Sequence, residues 1–545
     1  MWAVKQVDCE ERVAELARRL DLPEEIVRTL YLRGHKTVET IKGFLEARLS
    51  ELYPFETLPD IKLAVERIKQ SIDLQTPILI WGHEDLDGIT SVIILTETIK
   101  ELGGIVYNYI PTKGKEPHGI NIPKALEYHV AGVKLIITVD CGITNHNEIK
   151  ELRAQGVDVI VTDHHEVLDN LPPAIANVNP KRIDSKYPFD QLAACGIAFK
   201  LAWALYSNFY GWTIEDFVTK KPEFLIWTML GTIADRVPLI NENRILAKHG
   251  LELITENSRP IIKAIVKKLN SNNAVTTDKI INEIVPLFAS ANGNEACRYF
   301  QSQNEEEILS WLDKLQAESQ AWRALAKENL QLAEKIAEIS EGIIIIYNEN
   351  LSLKTLGHIA GKFKDQYQLP VIVLGKKTTD WVAECRGING IDLIEMLKAH
   401  SDLLITYGGH KKACGFTIAN DKLTTFIAKI KEYAKANFVG KIIQENIVLA
   451  DAFLPIRSLP LEVIKKLPPF GEGNPSPIFI SKDTAVSVNN NNLYFIERPD
   501  LSAVISGDKI TSKIFEFYPE RVFADILYTT TERGEIVILS VDYPQ

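Results

Sequence analysis

The sequence predicts an α/β fold of two α/β domains that are joined by a long helix and followed by a β-rich C-terminal part. Between residues 76 and 240, short apolar runs rich in β-branched residues alternate with stretches of helical periodicity. This alternation is typical of a parallel sheet with right-handed crossover helices. It returns after residue 342, beyond a run at 304–339 that has helical periodicity and contains neither Pro nor Gly. Two sheets separated by one long helix are therefore expected.

The bulk composition is typical of a globular protein outside the membrane. The chain of 545 residues is long enough for about three domains of roughly 150 residues each. No apolar run approaches the ~20 residues of a membrane span, and the charged segment from Asp8 to Arg12 is unlike a signal peptide. The six cysteines form no Cys-x-x-Cys pair, which argues against structural zinc and favours a reducing cytoplasm. The net charge of −11 argues only mildly against nucleic-acid binding, because cations offset a cluster of metal-binding carboxylates.

The chain is divided by these patterns into five parts. Residues 1–70 are expected to be helical, and residues 71–302 to form the first α/β domain. Its predicted strands are 77–81, 105–110, 133–139 and 159–162, and its predicted helices include 90–102, 146–155 and a block at 193–230. Residues 303–340 are interpreted as a helix between domains, although a surface helix of the first domain fits the periodicity equally well.

The second half of the chain continues with a smaller α/β domain. It is expected at 341–440, and its predicted elements are strands 343–347, 370–374 and 381–386, a glycine-rich loop at 408–415 and a helix at 422–438. Residues 441–545 contain short strand-like pieces separated by turns. This pattern is typical of a small β-barrel or a sandwich, and we favour an oligonucleotide-binding (OB-like) barrel that contacts nucleic acid.

Acidic and imidazole side chains follow three of the predicted buried strands. The strand at 159–162 runs into Asp163-His164-His165, and the strand at 133–139 runs into Asp140. The first strand is followed by His83, Asp85 and Asp87, and Asp235 follows the helical block. Ligands of open α/β sheets gather beyond the carboxyl ends of the strands. These side chains are therefore expected to share one site.

The composition of this predicted site suits hard divalent cations. Carboxylate oxygens are preferred by Mg²⁺ and Mn²⁺, and imidazole nitrogen is added where manganese is preferred. The set is large enough for two ions with Asp140 between them, and it consists of His83, Asp85, Asp87, Asp140, His164 and Asp235. Two such ions support phosphodiester hydrolysis. Taken singly, Asp140 or Asp163 would more often be a helix cap.

Groups suited to phosphate lie elsewhere in the sequence. Arg386 and the backbone of Gly408-Gly409-His410 could hold a phosphate, and so could Lys113 in the first domain. By composition alone, Lys113 is better explained as part of a solvated loop. The glycine pair is, by itself, equally typical of a plain turn.

At these residues the chain resembles the DHH phosphoesterase superfamily, and within it the RecJ single-strand-specific exonucleases. Asp163-His164-His165 corresponds to the motif that names the superfamily, and Gly408-Gly409-His410 corresponds to the companion DHHA1 domain. Further matching motifs are His83-x-Asp85-x-Asp87-Gly88, Asp140-Cys141-Gly142, Ala234-Asp235, residues 179–182, Asn243-Arg244 and residues 467–475. The resemblance spans nearly the whole chain and is weaker after residue 480.

The resemblance implies 5′-to-3′ degradation of single-stranded DNA to mononucleotides, with two Mn²⁺ or Mg²⁺ ions, in repair and recombination. It assigns one ion to His83, Asp85 and Asp140, and the other to Asp87, Asp140, His164 and Asp235. The catalytic set would be completed by Asp163 as a supporting residue or additional ligand and by His165 at the scissile phosphate. The 5′ phosphate or neighbouring backbone would contact Lys113, Arg386, Gly408, Gly409 and His410.

Three positions depart from the family pattern. His83 stands where many bacterial members have an acid, so the preferred metal is open. Lys113 replaces an arginine and loses its bidentate geometry. Glu384 replaces a small hydroxyl residue, and its carboxylate would repel a phosphate.

Two other functions are consistent with the motifs. One is a DHH phosphodiesterase for short oligonucleotides or nucleotide bisphosphates, which would need neither the chain length nor the barrel. The other is a replication scaffold without catalysis, against which the intact ligand set argues. For the exonuclease, the expected partners are single-stranded DNA, a single-strand-binding protein and a helicase, with a monomeric chain and no membrane.

Overall fold

The computed structural model describes residues 2–112, 116, 119–167, 170–254, 259–269, 275–289, 291–441, 448–489, 492–501, 503–505 and 522–542. The chain divides into two compact units. The larger unit comprises residues 2–315 together with 448–545, and the smaller unit comprises residues 316–447. The predicted α/β fold with two sheet-containing parts is confirmed. The finer division into five domains stays a prediction.

A five-stranded parallel sheet forms the centre of the larger unit. Its strands, in spatial order, are Val106–Tyr109, Ile78–Trp81, Leu135–Val139, Asp158–Thr162 and Ala176–Val178. The three middle strands are almost wholly buried, which explains their continuous apolar sequences. The spatial order reverses between the first and third strands of the sequence, and the carboxyl ends there are where α/β sheets place their sites.

Helices cover both faces of this sheet. Successive side chains along the strands point to opposite faces and therefore belong to two separate hydrophobic clusters. The helix predicted at 90–102 begins earlier, at Leu86, since Asp85 caps it. The helices around the sheet are Ile61–Asp73, Leu86–Glu101, Ile122–Val130, His146–Ala154, Ala194–Tyr210, Ile214–Lys220, Pro222–Ala234, Asn241–Leu253, Pro260–Lys268, Thr277–Lys279, Val285–Phe288 and Gly293–Gln301, with a π-helical turn at Ile280–Ile284.

The two ends of the sequence share one hydrophobic core. The helices Glu10–Leu20, Glu24–Leu32 and Val38–Glu46 pack against the C-terminal strands. In addition, Trp2–Val4 pairs in parallel with Val448–Ala450. The contact between residues 1–70 and 441–545 brings together segments that are far apart in sequence.

The C-terminal strands form one mixed sheet. Its strands, in spatial order, are Ala452–Phe453, Ile478–Asn489, Val522–Thr530, Ile536–Asp542 and Ala503–Ile505, and Asn492–Phe495 pairs with Ile478–Asn489. The short segments Ile456–Ser458 and Leu461–Ile464 are helical. The β-rich character predicted for this part is confirmed, whereas closure into an OB-like barrel stays a prediction.

The smaller unit contains a six-stranded sheet. The spatial order is Leu404–His410, Ala413–Ala419, Asp380–Arg386, Val371–Lys377, Ile343–Asn348 and Glu338–Ser340, and only Ile343–Asn348 and Val371–Lys377 pair in parallel. Its further helices are Leu356–Tyr367, Leu393–Ala399 and Leu423–Asn437. The long helix predicted at 303–340 is present as Glu305–Ile336.

The expectation of a glycine-rich loop at 408–415 is wrong. Gly408 pairs with Gly415 and His410 pairs with Ala413, so both segments are strands of one β-hairpin. The turn is formed by Lys411 and Lys412 alone. Glycines usually weaken a strand assignment, but cross-strand pairing outweighs that local preference here.

Arg244 connects three distant parts of the larger unit. It is 1% exposed, and its guanidinium donates to the carbonyl oxygens of Phe44 at 3.0 Å, Lys466 at 2.7 Å and Leu467 at 2.8 Å. Burial lowers the pKa of Arg244 to about 9, with a smaller contribution from Arg33, so the guanidinium is still charged at neutral pH. Hydrogen bonds to a charged donor are among the stronger ones in proteins. Arg244 thus links the N-terminal helix Val38–Glu46 and the C-terminal residues 466–467 to the helix Asn241–Leu253.

Candidate metal centre

The loop after Ile78–Trp81 holds His83 and Asp85 in a tight turn. One carboxylate oxygen of Asp85 accepts a hydrogen bond from the Gly88 N–H at 3.0 Å and thereby caps the helix Leu86–Glu101. The other oxygen lies 3.1 Å from His83 Nδ1. A side chain at Gly88 would place its Cβ 2.5 Å from the His83 carbonyl oxygen, so the turn requires glycine. Asp85 is therefore both a helix cap and a candidate ligand.

Asp87 is fixed by the start of another helix. Its carboxylate is 1% exposed and accepts hydrogen bonds from the backbone N–H groups of Ala194 and Cys195, both at 2.8 Å. These groups begin the helix Ala194–Tyr210, whose N-terminus favours negative charge. Gly231 allows the helix Pro222–Ala234 to come close, because a Cβ there would lie 2.8 Å from an Asp87 carboxylate oxygen. Asp87 is therefore held rigidly at the base of the site.

Asp140 adopts a left-handed backbone conformation with φ of 59°. Non-glycine residues in this region carry a strain of ~1 kcal/mol, and such residues cluster at functional sites. Its backbone N–H donates to the Thr162 carbonyl oxygen at 3.1 Å, which ties the two central strand ends together. The side chain of Asp140 is 3% exposed.

Asp163 orients the two histidines that follow it. One of its carboxylate oxygens accepts hydrogen bonds from the backbone N–H groups of His164 at 2.8 Å and His165 at 3.1 Å, and from His165 Nδ1 at 2.7 Å. The other oxygen accepts from Ile143 N–H at 3.0 Å. Asn179, which is fully buried, donates to the His165 carbonyl oxygen at 2.9 Å. The carboxylate of Asp163 thus fixes the backbone of His164 and His165 and the orientation of the His165 ring.

Candidate ligand atoms of the described residues form two main groups. We call His83, Asp85 and Asp140 the first ligand group, and Asp87, His164 and Asp235 the second ligand group. Within each group the ligand atoms lie within 4.8 Å of one another, and Asp140, His164 and His165 form a further overlapping set.

The two oxygens of Asp140 face different ligand groups. Asp140 Oδ2 lies 3.5 Å from His83 Nδ1, whereas Oδ1 lies 3.2 Å from His164 Nε2. His164 Nε2 is also 3.7 Å from Asp235 Oδ2. Asp140 therefore stands between the two groups, which is the arrangement expected of a bridging carboxylate.

The electrostatics of the site favour the binding of cations. Burial, followed by repulsion between the carboxylates, raises the pKa of Asp87, Asp140 and Asp235 to about 7 each. Although burial acts against it, the nearby carboxylates of Asp140 and Asp85 raise the pKa of His83 to about 11, and a metal ion bound there would take the place of the imidazole proton. His164 Nε2 is buried and, despite its closeness to Asp140, has no hydrogen bond of normal geometry. Buried carboxylates with imidazole nitrogen fit two hard divalent ions.

The candidate phosphate-binding residues lie apart from these groups in the sequence. Lys113 is outside the described residues. Arg386 ends the strand Asp380–Arg386, and its Nη1 donates to Glu384 Oε2 at 3.0 Å. The backbones of Gly408, Gly409 and His410 are in the strand Leu404–His410.

Two residues beside the candidate metal ligands were not singled out from the sequence. Glu84 and Arg236 line a cavity next to Asp85, Asp87 and Asp235, and the apolar wall of this cavity is formed by Val285, Phe288 and Ala289. Glu84 is 8% exposed. Arg236 is exposed and has a left-handed φ of 57°. The sequence indicated these two residues only by their position, because Glu84 precedes Asp85 and Arg236 follows Asp235.

Comparisons with known proteins agree with this geometry. The model of the DHH family, N-terminal domain, matches residues 77–232, and that of the DHHA1 domain matches residues 340–436. The chain is 30% identical over 500 residues to the single-stranded-DNA-specific exonuclease RecJ of Bacillus subtilis, covering 87% of this chain and 61% of that protein. It is 28% identical over 498 residues to Escherichia coli RecJ, covering 86% of this chain and 85% of that protein.

Solved structures support the same fold. RecJ from Thermus thermophilus in complex with Mn²⁺ has a TM-score of 0.78 at 24% identity, covering 100% of this chain and 80% of that chain. An exonuclease RecJ bound to manganese has a TM-score of 0.61 at 26% identity, covering 71% of this chain and 97% of that chain. The chain therefore contains a segment that matches the DHH family, N-terminal domain, and one that matches the DHHA1 domain, and it is similar over most of its length to RecJ exonucleases.

We predict that Asp163→Asn weakens Mn²⁺ binding by ~10-fold or more, because residues that orient metal ligands typically contribute this much. The asparagine amide cannot accept all four hydrogen bonds that now fix Ile143, His164 and His165. Isothermal titration calorimetry of metal-free protein with Mn²⁺ measures the change. Asp158→Asn is the matched control, since Asp158 begins the same strand and pairs with Arg67 at 2.7 Å. Equal Mn²⁺ affinity of Asp163→Asn and the parent would contradict the orienting role.

Proposed function

We propose that this chain degrades single-stranded DNA from the 5′ end to mononucleotides by two-metal phosphodiester hydrolysis, in DNA repair and recombination. The observation that carries the proposal is the position of Asp140, with one carboxylate oxygen towards each ligand group. The similarity to RecJ proteins supports the choice of substrate. The chain spans 61% of the length of the Bacillus subtilis relative.

The proposed ligands follow the two groups. His83, Asp85 and Asp140 hold one Mn²⁺ or Mg²⁺, and the second ligand group with Asp140 holds the other. When bound there, two divalent ions would act as Lewis acids on the scissile phosphate and would lower the pKa of a water molecule. The Thermus thermophilus RecJ structures with Mn²⁺ and with Mg²⁺ are the basis for naming both metals.

His165 is the proposed contact to the scissile phosphate. Its side chain is 55% exposed, whereas that of Asp163 is 1% exposed. The hydrogen bond from His165 Nδ1 to Asp163 raises the pKa of His165 to about 9, so the ring is cationic at neutral pH. With Nδ1 engaged, Nε2 can donate to a phosphate oxygen. Asp163 thereby fixes both the direction and the charge of His165.

The DNA end is proposed to bind residues outside the metal ligands. Arg386 and Lys113 supply positive charge, and Gly408, Gly409 and His410 supply a hairpin end for the terminal nucleotide. The C-terminal sheet is proposed to hold DNA further along the strand. We further propose that the protein acts in the cytoplasm and that it is a monomer. Its proposed protein partners are a single-strand-binding protein and a helicase. Within the described residues, no helix is both long and apolar enough to cross a membrane.

The proposal is tested by digestion of a long 5′-labelled single-stranded DNA and of its duplex counterpart, with Mn²⁺, with Mg²⁺ and with a chelator. We expect early release of labelled mononucleotide from the single strand only, and no release with chelator. Intact long DNA together with rapid loss of a trinucleotide would instead identify a short-substrate phosphodiesterase. Cleavage of neither substrate would contradict the proposed hydrolysis and would favour a scaffold without catalysis.

A second prediction concerns recognition of the 5′ end. Glu384 pairs with Arg386 at 3.0 Å, so its carboxylate competes with a phosphate for the guanidinium. Glu384→Gln should therefore increase the preference for 5′-phosphorylated over 5′-hydroxyl DNA by about two- to five-fold, as expected for a partly exposed ion pair. The ratio of kcat/KM for the two substrates measures this preference.

Glu349→Gln is the matched control for Glu384→Gln. Glu349 pairs with Lys376 at 2.8 Å in the same unit and is 65% exposed at its side chain. The control should leave the preference for a 5′ phosphate unchanged. An unchanged preference in Glu384→Gln as well would remove Arg386 from 5′-phosphate recognition.

A further inference from the structure

Asp235 belongs to a short connection between two helices. The helix Pro222–Ala234 ends at Asp235, and the next helix, Asn241–Leu253, begins six residues later. We call residues 235–240 the connector. Both of its borders have left-handed backbone conformations at non-glycine residues, with φ of 57° at Arg236 and 46° at Asn241. Such strained conformations persist only where the surroundings hold them, so the connector needs outside contacts.

A loop of the C-terminal part supplies these contacts. Residues 467–475, which we call the Pro-Gly loop, lie against the connector, and the Leu239 N–H donates to the Glu472 carbonyl oxygen at 2.7 Å. Gly473 has φ of +70°, and a Cβ there would lie 2.9 Å from Pro238 Cβ. At Gly471 a Cβ would lie 2.8 Å from Leu239 Cδ1. Gly473 is required by the close approach to Pro238 and by its left-handed backbone, whereas a Cβ at 471 would meet only the side chain of Leu239.

The Pro-Gly loop is itself rigid. Asn474 is fully buried, and its Nδ2 donates to the carbonyl oxygens of Leu467 at 3.0 Å and Pro469 at 2.7 Å. Arg33 donates to the Asn474 side-chain oxygen. The Phe470 N–H donates to Glu532 Oε1 at 2.9 Å, which fastens the loop to the C-terminal sheet. Because the loop is held in this way, its contacts with Pro238 and Leu239 fix the position of the connector.

The opposite side of the connector is held by Asn243. Its Nδ2 donates to the Pro238 carbonyl oxygen at 3.0 Å and to the Gln191 carbonyl oxygen at 2.6 Å. Pro238 therefore lies between Asn243 and Gly473. Asp235 is three residues before Pro238, and its Oδ2 is 3.7 Å from His164 Nε2 in the second ligand group.

We infer that the Pro-Gly loop is a positioning element for Asp235 and thereby sets the affinity of the second ligand group for a divalent cation. The inference rests on the proposed function, since it concerns the same metal site. The described contacts of the loop with the connector are to Pro238, Leu239 and Ile240, and not to Asp235 itself. It acts through Pro238 and Leu239, and a displacement of ~1 Å at a ligand is enough to impair such a site. The C-terminal part is therefore required for the metal centre as well as for holding DNA.

The test compares two glycine substitutions in the full chain, Gly473→Ala and Gly534→Ala. Both glycines have left-handed backbones, with φ of +70° and +80°, so both variants carry a similar backbone strain. The new Cβ at 534 would meet Leu461 Cδ2 at 3.5 Å, an ordinary contact, whereas the Cβ at 473 would displace Pro238. Mn²⁺ binding by calorimetry, thermal unfolding, and kcat and KM on single-stranded DNA are measured for both.

We expect Gly473→Ala to weaken one of two Mn²⁺ sites by ~10-fold and to lower kcat, with KM for DNA changed less than two-fold. Gly534→Ala should retain both Mn²⁺ affinities within two-fold of the parent. Its unfolding temperature should be similar to that of Gly473→Ala. Equal Mn²⁺ affinities in the two variants would overturn the inference. Absence of Mn²⁺ binding in the parent would instead overturn the proposed function, on which the inference rests.

Gly471→Ala replaces Gly473→Ala if the latter does not fold. Its Cβ meets only the end of the Leu239 side chain, which can move, and its backbone is not left-handed. We expect a smaller effect in the same direction, about a three-fold loss of Mn²⁺ affinity at one site. An affinity equal to that of the parent would overturn the inference in this variant too.

Discussion

The structure depends on holding several carboxylates together where water cannot screen them. Asp87 and Asp140 are buried and Asp235 is close to them, so their mutual repulsion must be offset by fixed donors and by cations. The parallel sheet provides the means, because adjacent strands end at the same edge. Asp87 is then held by backbone N–H groups at the start of the helix Ala194–Tyr210, whereas Asp140 and Asp235 lie beside the imidazole of His164.

The same requirement explains why the ends of the chain lie around the helix Asn241–Leu253. Arg244 bonds to carbonyl oxygens of residues 44, 466 and 467, and the neighbouring Asn243 bonds to the connector. Two adjacent residues thus link the N-terminal helices, the C-terminal loop and the segment that carries Asp235. A site built from four separate segments needs such links, since none of those segments is held by local hydrogen bonds alone.

The sequence was sufficient for four of the five strands of the central sheet, all but Ala176–Val178, and for the set of candidate ligands. Buried parallel strands have continuous apolar sequences, and the acids that follow them are at predictable places, as with Asp140 and Asp163. Asp163 shows where such reasoning ends: its position was predicted, but its hydrogen bonds to His164, His165 and Ile143 were not. Side-chain direction depends on backbone angles that a pattern of residue types does not contain.

Contacts between distant segments were also beyond the sequence. The hairpin at Gly408–Gly415 was interpreted as a loop because glycine marks turns more often than paired strands. The core shared by residues 1–70 and 441–545 leaves no periodic signal, because periodicity gives the buried face of an element and not its partner. Arg236 is next to Asp235 in the sequence, but the cavity that both residues line is formed with the distant residues Val285 and Phe288.

Whether Asp140 is shared by two metal ions is tested most directly by Mn²⁺ titration of metal-free protein. We expect the parent to bind two Mn²⁺ ions, Asp235→Asn to weaken one site only, and Asp140→Asn to weaken both. If Asp140→Asn weakened a single site and left the other at the affinity of the parent, Asp140 would not bridge the two ligand groups.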